Sequence, residues 1–158
     1  MIYYDKDGIR VRNSIKADVR SLKYTMKPSD ANEIWASHHH TPEEALTLCL
    51  DKSIFCATVE NGNPIAMFGI YADNIIGTEA SIWMLSSEDL YKIKTRFLRN
   101  CKGFIKMMLE YYPYLHNYVD ARNLKTIAWL KFLGAEIEEA KSFGVDGLPF
   151  HHFIFRRK

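Results

Sequence analysis

Two runs of side chains in this sequence are of types that do chemistry. Lys92, Lys94, Arg96, Arg99 and Lys102 crowd five positive charges into a short span. Guanidinium and ammonium groups at that density can hold phosphate oxygens or track nucleic acid. The ordinary reading is the wet face of an amphipathic helix, because Phe97, Cys101, Phe104 and Met108 supply an apolar stripe at helical spacing. His38, His39 and His40 invite a metal. Adjacent side chains diverge by about a hundred degrees on a helix and alternate on a strand, so three in a row rarely chelate one ion. The expectation there is a polar turn between helices, with a loop that places a histidine near a substrate as the functional version.

The elements that must position these residues follow from pattern. A long basic helical segment runs from Ser86-Ser87-Glu88-Asp89, which is rich in capping residues, to about Tyr111, with a possible break near Lys94. Tyr114 to Ala121 reads as a strand. Leu115, Val119 and Ala121 share one side, Asn117 is the exception, and Tyr114, His116, Tyr118 and Asp120 take the other. Leu124 to Leu133 reads as a helix burying Ile127, Leu130 and Leu133, closed by Gly134. Ala135 begins another strand, 142–149 is a loop, and Phe150 to Arg156 is a final strand.

Upstream, residues 1–8 read as a polar lead-in with a turn at Asp7-Gly8. Ile9, Val11 and Arg12 suit a short strand, and Ile15 to Leu22 fits an edge strand or a helix. Pro28-Ser29-Asp30 starts a helix in which Ser29 and Asp30 would cap backbone N–H groups. Thr41-Pro42-Glu43-Glu44 is a helix N-terminus with Thr41 at N-cap, burying Ala45, Leu48 and Cys49. Phe55 to Glu60, the Asn61-Gly62-Asn63 turn and Pro64 to Tyr71 form a hairpin. A loop from Asp73 to Gly77 leads to a strand at Glu79 to Leu85.

The whole fits one domain of 158 residues, with 47% hydrophobic content suited to a globular core. A net charge of +2 gives no bulk argument for nucleic acid. No apolar run reaches the ~20 residues of a membrane span, and the N-terminus lacks an apolar signal core. Three scattered cysteines point to a reducing compartment rather than a disulfide framework.

Strand, asparagine, short helix, Leu-Gly, strand: the stretch YPYLHNYVDARNLKTIAWLKFLGAEIEE resembles the end of the GNAT family, the Gcn5-related N-acetyltransferases. The resemblance implies an α/β (α+β) fold with a mainly antiparallel central sheet, flanked by helices and splayed between the family's fourth and fifth strands. It implies acetyl-CoA as cofactor and an amine as acceptor. Trp83, Met84 and Leu85 would lend main-chain groups to the acyl-pantetheine arm. Counting back from Asn123, which matches the family's asparagine, places the pyrophosphate signature on Lys92, Lys94, Thr95 and Arg96. Thr95 and Phe97 stand where glycine or a small residue is usual. Leu130 stands where many members carry a tyrosine acid, and leucine transfers no proton. Glu79 lies where many members carry a general base. His116 and Tyr118 would face the acceptor, as base and as replacement acid. For Glu79, His116 and Tyr118 alike, surface exposure or packing is the commoner reading.

The C-terminal half, from IWMLSSEDLYKIKTRFL to the Leu-Gly-Ala turn, is similar to the small internal virion, or core-assembly, protein family of short-tailed phages. Those proteins are GNAT-like and lack the glycine signature too. This resemblance implies phage virion or host proteins as partners, in the host cytoplasm or the virion. Tyr111, Tyr112, Tyr114 and Tyr118 with Trp129 would suit a protein interface or self-association. Two functions therefore stand: an acetyl-CoA-dependent N-acetyltransferase, or a non-catalytic assembly or host-interaction protein. An enzyme requires an open splay after Leu85 with donors aimed into it.

Overall fold

The computed structural model describes residues 1–74 and 76–158, and Lys94 without its side chain. The chain begins with a hairpin, β1 (Ile2–Lys6) and β2 (Ile9–Asn13), turning at Asp7 and Gly8, both at positive φ. The expected polar lead-in is therefore a strand. It shows no alternation because it is the outer strand of the sheet, held by pairing with β2 and by Tyr3 packing edge-on to Phe55.

Three helices follow. The ambiguous stretch forms α1 (Lys16–Thr25), whose Val19 and Leu22 face inward three residues apart. Next come α2 (Pro28–His38) and α3 (Pro42–Lys52). Thr41 and Glu44 make the reciprocal capping box that the sequence promised. Leu46 rather than Leu48 is the buried leucine of α3, with Ala45 beside it; Leu48 is 38% exposed. The helix seats against α1 and β4 on Leu46, and that contact sets its rotation.

The sheet continues with β3 (Phe55–Asn61), β4 (Asn63–Ala72) and β5 (Glu79–Ser86), all antiparallel. α4 (Leu90–Tyr111) runs 22 residues with no break at Lys94. Then come β6 (Tyr114–Asp120), α5 (Leu124–Phe132), β7 (Glu136–Ile137), β8 (Lys141–Phe143) and β9 (Leu148–Arg156). The expected loop at 142–149 is a hairpin of β8 on β9. Among the described residues the strands form one sheet, in the order β1-β2-β3-β4-β5-β6-β9-β7, with β8 also on β9. Among the described residues, only the β5–β6 contact is parallel.

The sheet separates two apolar layers. α4 and α5 bury Phe97, Phe104, Met108, Ile127 and Leu130 against Phe68, Leu115, Val119 and Phe153. On the other face, Val19, Leu22 and Leu46 close over Met67 and Trp83. This is the mainly antiparallel, helix-flanked α/β fold that the resemblance implied.

Candidate active site

The site is made by a failure of pairing. β5 and β6 pair over Glu79–Ser81 and Tyr114–His116 only, and then part. The last tie is Asn117, whose Nδ2 donates to Ile82 O at 2.7 Å. This explains the polar residue on the otherwise apolar side of the strand. Beyond it lies a cavity of about 330 Å³, whose walls include Met84, Leu85, Phe97, Tyr118, Trp129 and Glu33. Counted from β2, β5 and β6 are the fourth and fifth strands, so the splay stands where the resemblance put it.

Main-chain groups on one strand alternate between its two edges. Ile82 O faces the splay, so Met84 and Ser86 do as well. The groups of Ser86 are already taken. Lys27 N donates to Ser86 O at 2.9 Å, and Ser86 N donates to Asp30 Oδ2 at 2.9 Å. The first turn of α2 thus closes the mouth of the splay. Asp30 was expected to cap that helix; it reaches across to β5 instead, and the N-cap position is Lys27.

Asp30 and Glu33 lie three residues apart on the face of α2 that meets the cavity. Burial pushes the Asp30 carboxyl up to about 6, against the pull of Lys27 at 3.9 Å. Burial likewise pushes Glu33 up to about 7, although its carboxylate accepts from Asp120 N. Either group can exchange a proton near neutral pH. The hairpin of β8 and β9 fixes α2 from its other end: Val145 N donates to Ser37 O at 3.1 Å, and Asp146 N to Ala36 O at 3.3 Å. Gly144 makes that approach possible, since a Cβ there would lie 2.7 Å from Ser37 Cα and the backbone is at φ +76.

The turn from β5 to α4 is where a pyrophosphate would need free amides. Here Leu90 N, Tyr91 N and Lys92 N donate to the carbonyls of Ser87, Glu88 and Asp89, and Asp89 N donates to Ser87 Oγ. Glu88 and Asp89 put two exposed carboxylates at this helix start. Lys92 is spent on Asp89 at 3.1 Å. Thr95 and Arg96 lie on the exposed side of α4, well inside the helix rather than in a loop, and Arg96 donates to Asp7 O at 3.3 Å. Phe97 is core, against Phe68, Phe104 and Trp129. The Lys94 side chain lies outside the described residues. Among the described residues, the amides of this turn and the Lys92 ammonium are engaged within the chain.

The remaining expected residues divide. Trp83 is buried, and its Nε1 donates to Ser53 Oγ at 2.9 Å. Tyr118 borders the cavity but stacks on Phe143, with centroids 3.8 Å apart. His116 and Glu79 sit at the closed end of the splay, where His116 bonds Asp73 and His152. Asn123 caps α5 by accepting from Thr126 N; its Nδ2, like Trp129 Nε1, is buried without a partner. His38 and His40 border the cavity, while His39 ends α2 in the left-handed conformation and bonds Asp146 at 2.8 Å. The aromatics expected to suit an interface pack apart from one another: Tyr118 lies on Phe143, Tyr111 by Phe55, and Trp129 by Phe97. Asp30 and Glu33 were missed as site residues. Their spacing put them on one helix face, but nothing in the sequence said which face meets the splay.

Residues 59–141, more than half of the chain, match the family described as "Bacteriophage T7, probable scaffold protein Gp13". No curated protein sequence matches. Among solved structures, a GCN5-related N-acetyltransferase from Kribbella flavida superposes with a TM-score of 0.70 at 15% identity, over 96% of this chain and 99% of that one. Spermidine N-acetyltransferase from Vibrio cholerae, in complex with CoA and spermine, gives 0.68 at 14% over 96% of each chain. Aminoglycoside acetyltransferase AAC(6')-Ib, in complex with coenzyme A, gives 0.68 at 14% over 94% of this chain and 95% of that one. At such identities the likeness is one of fold: this chain has the GNAT fold.

Proposed function

The chain belongs to the phage T7 Gp13 family, and from that premise we propose that it is a virion-assembly protein of a short-tailed phage, built on a GNAT fold that no longer takes CoA in the GNAT manner. One observation carries this reading. The donors that an acyl-CoA would need, at Ser86 and in the first turn of α4, are hydrogen-bonded within the chain, beside two carboxylates. A pyrophosphate there would have to displace Lys92 from Asp89 and lie against like charge. The family's character as a probable scaffold protein agrees with a role in protein–protein contact. The partners are then phage virion or host proteins, met in the host cytoplasm or inside the virion.

A second reading rests on Glu33. A carboxyl pushed up to about 7 at the wall of a cavity is suited to accept a proton from an amine. In that reading Glu33 is the base, Tyr118 borders the acceptor, and the acyl donor is held without a phosphate cradle.

Titration calorimetry of CoA and acetyl-CoA against the purified protein separates the two. The assembly reading expects no heat and no thermal shift at millimolar ligand, together with co-sedimentation of the protein with phage procapsids. Micromolar binding of acetyl-CoA would overturn it and restore the enzyme.

A further inference from the structure

At the closed end of the splay, outside the cavity, three potential ligands converge from three segments. Asp73 follows β4, Glu79 opens β5 and His116 is on β6. One donor atom from each lies within 4.8 Å of the others. We infer that Asp73, Glu79 and His116 form a binding site for a divalent transition-metal ion, with His152 and Glu138 as its outer support.

The geometry of the support carries the argument. His116 Nε2 and Asp73 Oδ2 are 2.7 Å apart, so both donor atoms face one point, and an ion at ~2.1 Å from each would part them to ~3.0–3.4 Å. Ser81 Oγ donates to Asp73 Oδ1 at 2.6 Å, which aims the other carboxylate oxygen at the histidine. Behind the ring, His116 Nδ1 bonds His152 Nε2 at 2.9 Å, and His152 Nδ1 bonds Glu138 Oε1 at 2.9 Å. A metal-ligating histidine ordinarily gives its far N–H to a fixed acceptor; here His152 takes that place and is itself held by Glu138.

With an ion on His116 Nε2, His116 Nδ1–H would donate to His152 Nε2 and His152 Nδ1–H to Glu138 Oε1, so both contacts of the support would be used. The third ligand, Glu79, is exposed and free to swing in. One imidazole with two carboxylates suits Mn²⁺, Fe²⁺, Co²⁺ or Zn²⁺, with water completing the sphere. Such an ion would tie the segment after β4 to the parallel β5–β6 contact at the point where the splay begins.

The test is calorimetric titration of chelator-treated protein with ZnCl₂ and with MnCl₂, on wild type and four variants. The expected result is one equivalent of bound ion, weakened at least ~tenfold by Glu79→Gln and lost with Asp73→Asn or His116→Gln. Replacement of His38, His39 and His40 by alanine should leave it unchanged. Glu79 is exposed and outside the relay, so its variant decides the matter if His116→Gln fails to fold. No binding by the wild type, binding that persists in Glu79→Gln and Asp73→Asn, or binding lost with the His38–His40 replacement would each overturn the site.

Discussion

Asp18 and Asp30 occupy the same place in successive helices, the third residue of α1 and of α2, and both are buried. Their surroundings drive them apart. For Asp18, burial is the largest single influence and pushes the carboxyl up. It is outweighed by the two-point bond from Arg12 at 2.9 Å, by Ile15 N and by the Thr58 hydroxyl, so the group ends below its ordinary value. For Asp30, Lys27 stands 3.9 Å away and Ser86 supplies the main bond, so burial wins and the group rises to about 6. A fully satisfied buried carboxylate holds elements together: Asp18 joins α1 to β2 and β3. An under-satisfied one at a cleft, like Asp30 with Glu33 beyond it, is free to trade protons or partners.

The comparison can be broken by substitution. Asp18→Asn should cost about 3 kcal/mol, because it leaves the Arg12 guanidinium beside a neutral amide and breaks a buried pair. Urea unfolding at pH 7 measures it. A loss under about 1 kcal/mol would remove the contrast.

Glu33→Gln should act in the opposite direction and depend on pH. The folded protein holds the Glu33 proton up to about pH 7, whereas the unfolded chain releases it near 4.5. Between those values the folded state binds more protons, so Glu33 lowers stability as pH rises through that window. The amide keeps an oxygen for Asp120 N and has no charge to desolvate. The variant should therefore match wild type at pH 4.5 and exceed it by about 1–2 kcal/mol at pH 8. Equal differences at the two pH values would show that Glu33 is not the strained group.

Asp30→Asn should have the smallest effect, a gain of under about 1 kcal/mol at pH 7, because the Lys27 attraction it gives up offsets most of the desolvation it relieves. The Lys27 contact is long, and an amide oxygen still accepts from Ser86 N. A cost matching that of Asp18→Asn would make the α2 closure as structural as the α1 anchor.

Much of this protein was legible in order along the chain. The Asn-Gly hairpin, the capping box at Thr41 and Glu44, the sidedness of Tyr114 to Ala121, and Gly134 after α5 (φ +96) are local events, governed by turn geometry, capping and period. The resemblance of the C-terminal half identified both the fold and the phage family. What local chemistry could not reveal was pairing. β1 carries no alternation because, at the outer edge of the sheet, neither of its faces is fully covered. Asp30 looked like a cap because its partner, Ser86, is 56 residues away. The phosphate-binding expectation at Lys92 to Arg96 was counted from Asn123, and only the fold placed those residues inside α4, which begins at Leu90. Asp73, Glu79, His116 and His152 meet only because β5, β6 and β9 lie side by side. The sequence by itself determined most of the helices and strands from Thr41 to Gly134, since these depend on neighbours within a few residues, while β1, α1 and β8 took their form from the strands and helices they pack on. The tertiary structure alone decided which carboxylates are stranded in the splay and which are satisfied, because desolvation and partner distance exist only once distant segments are packed together.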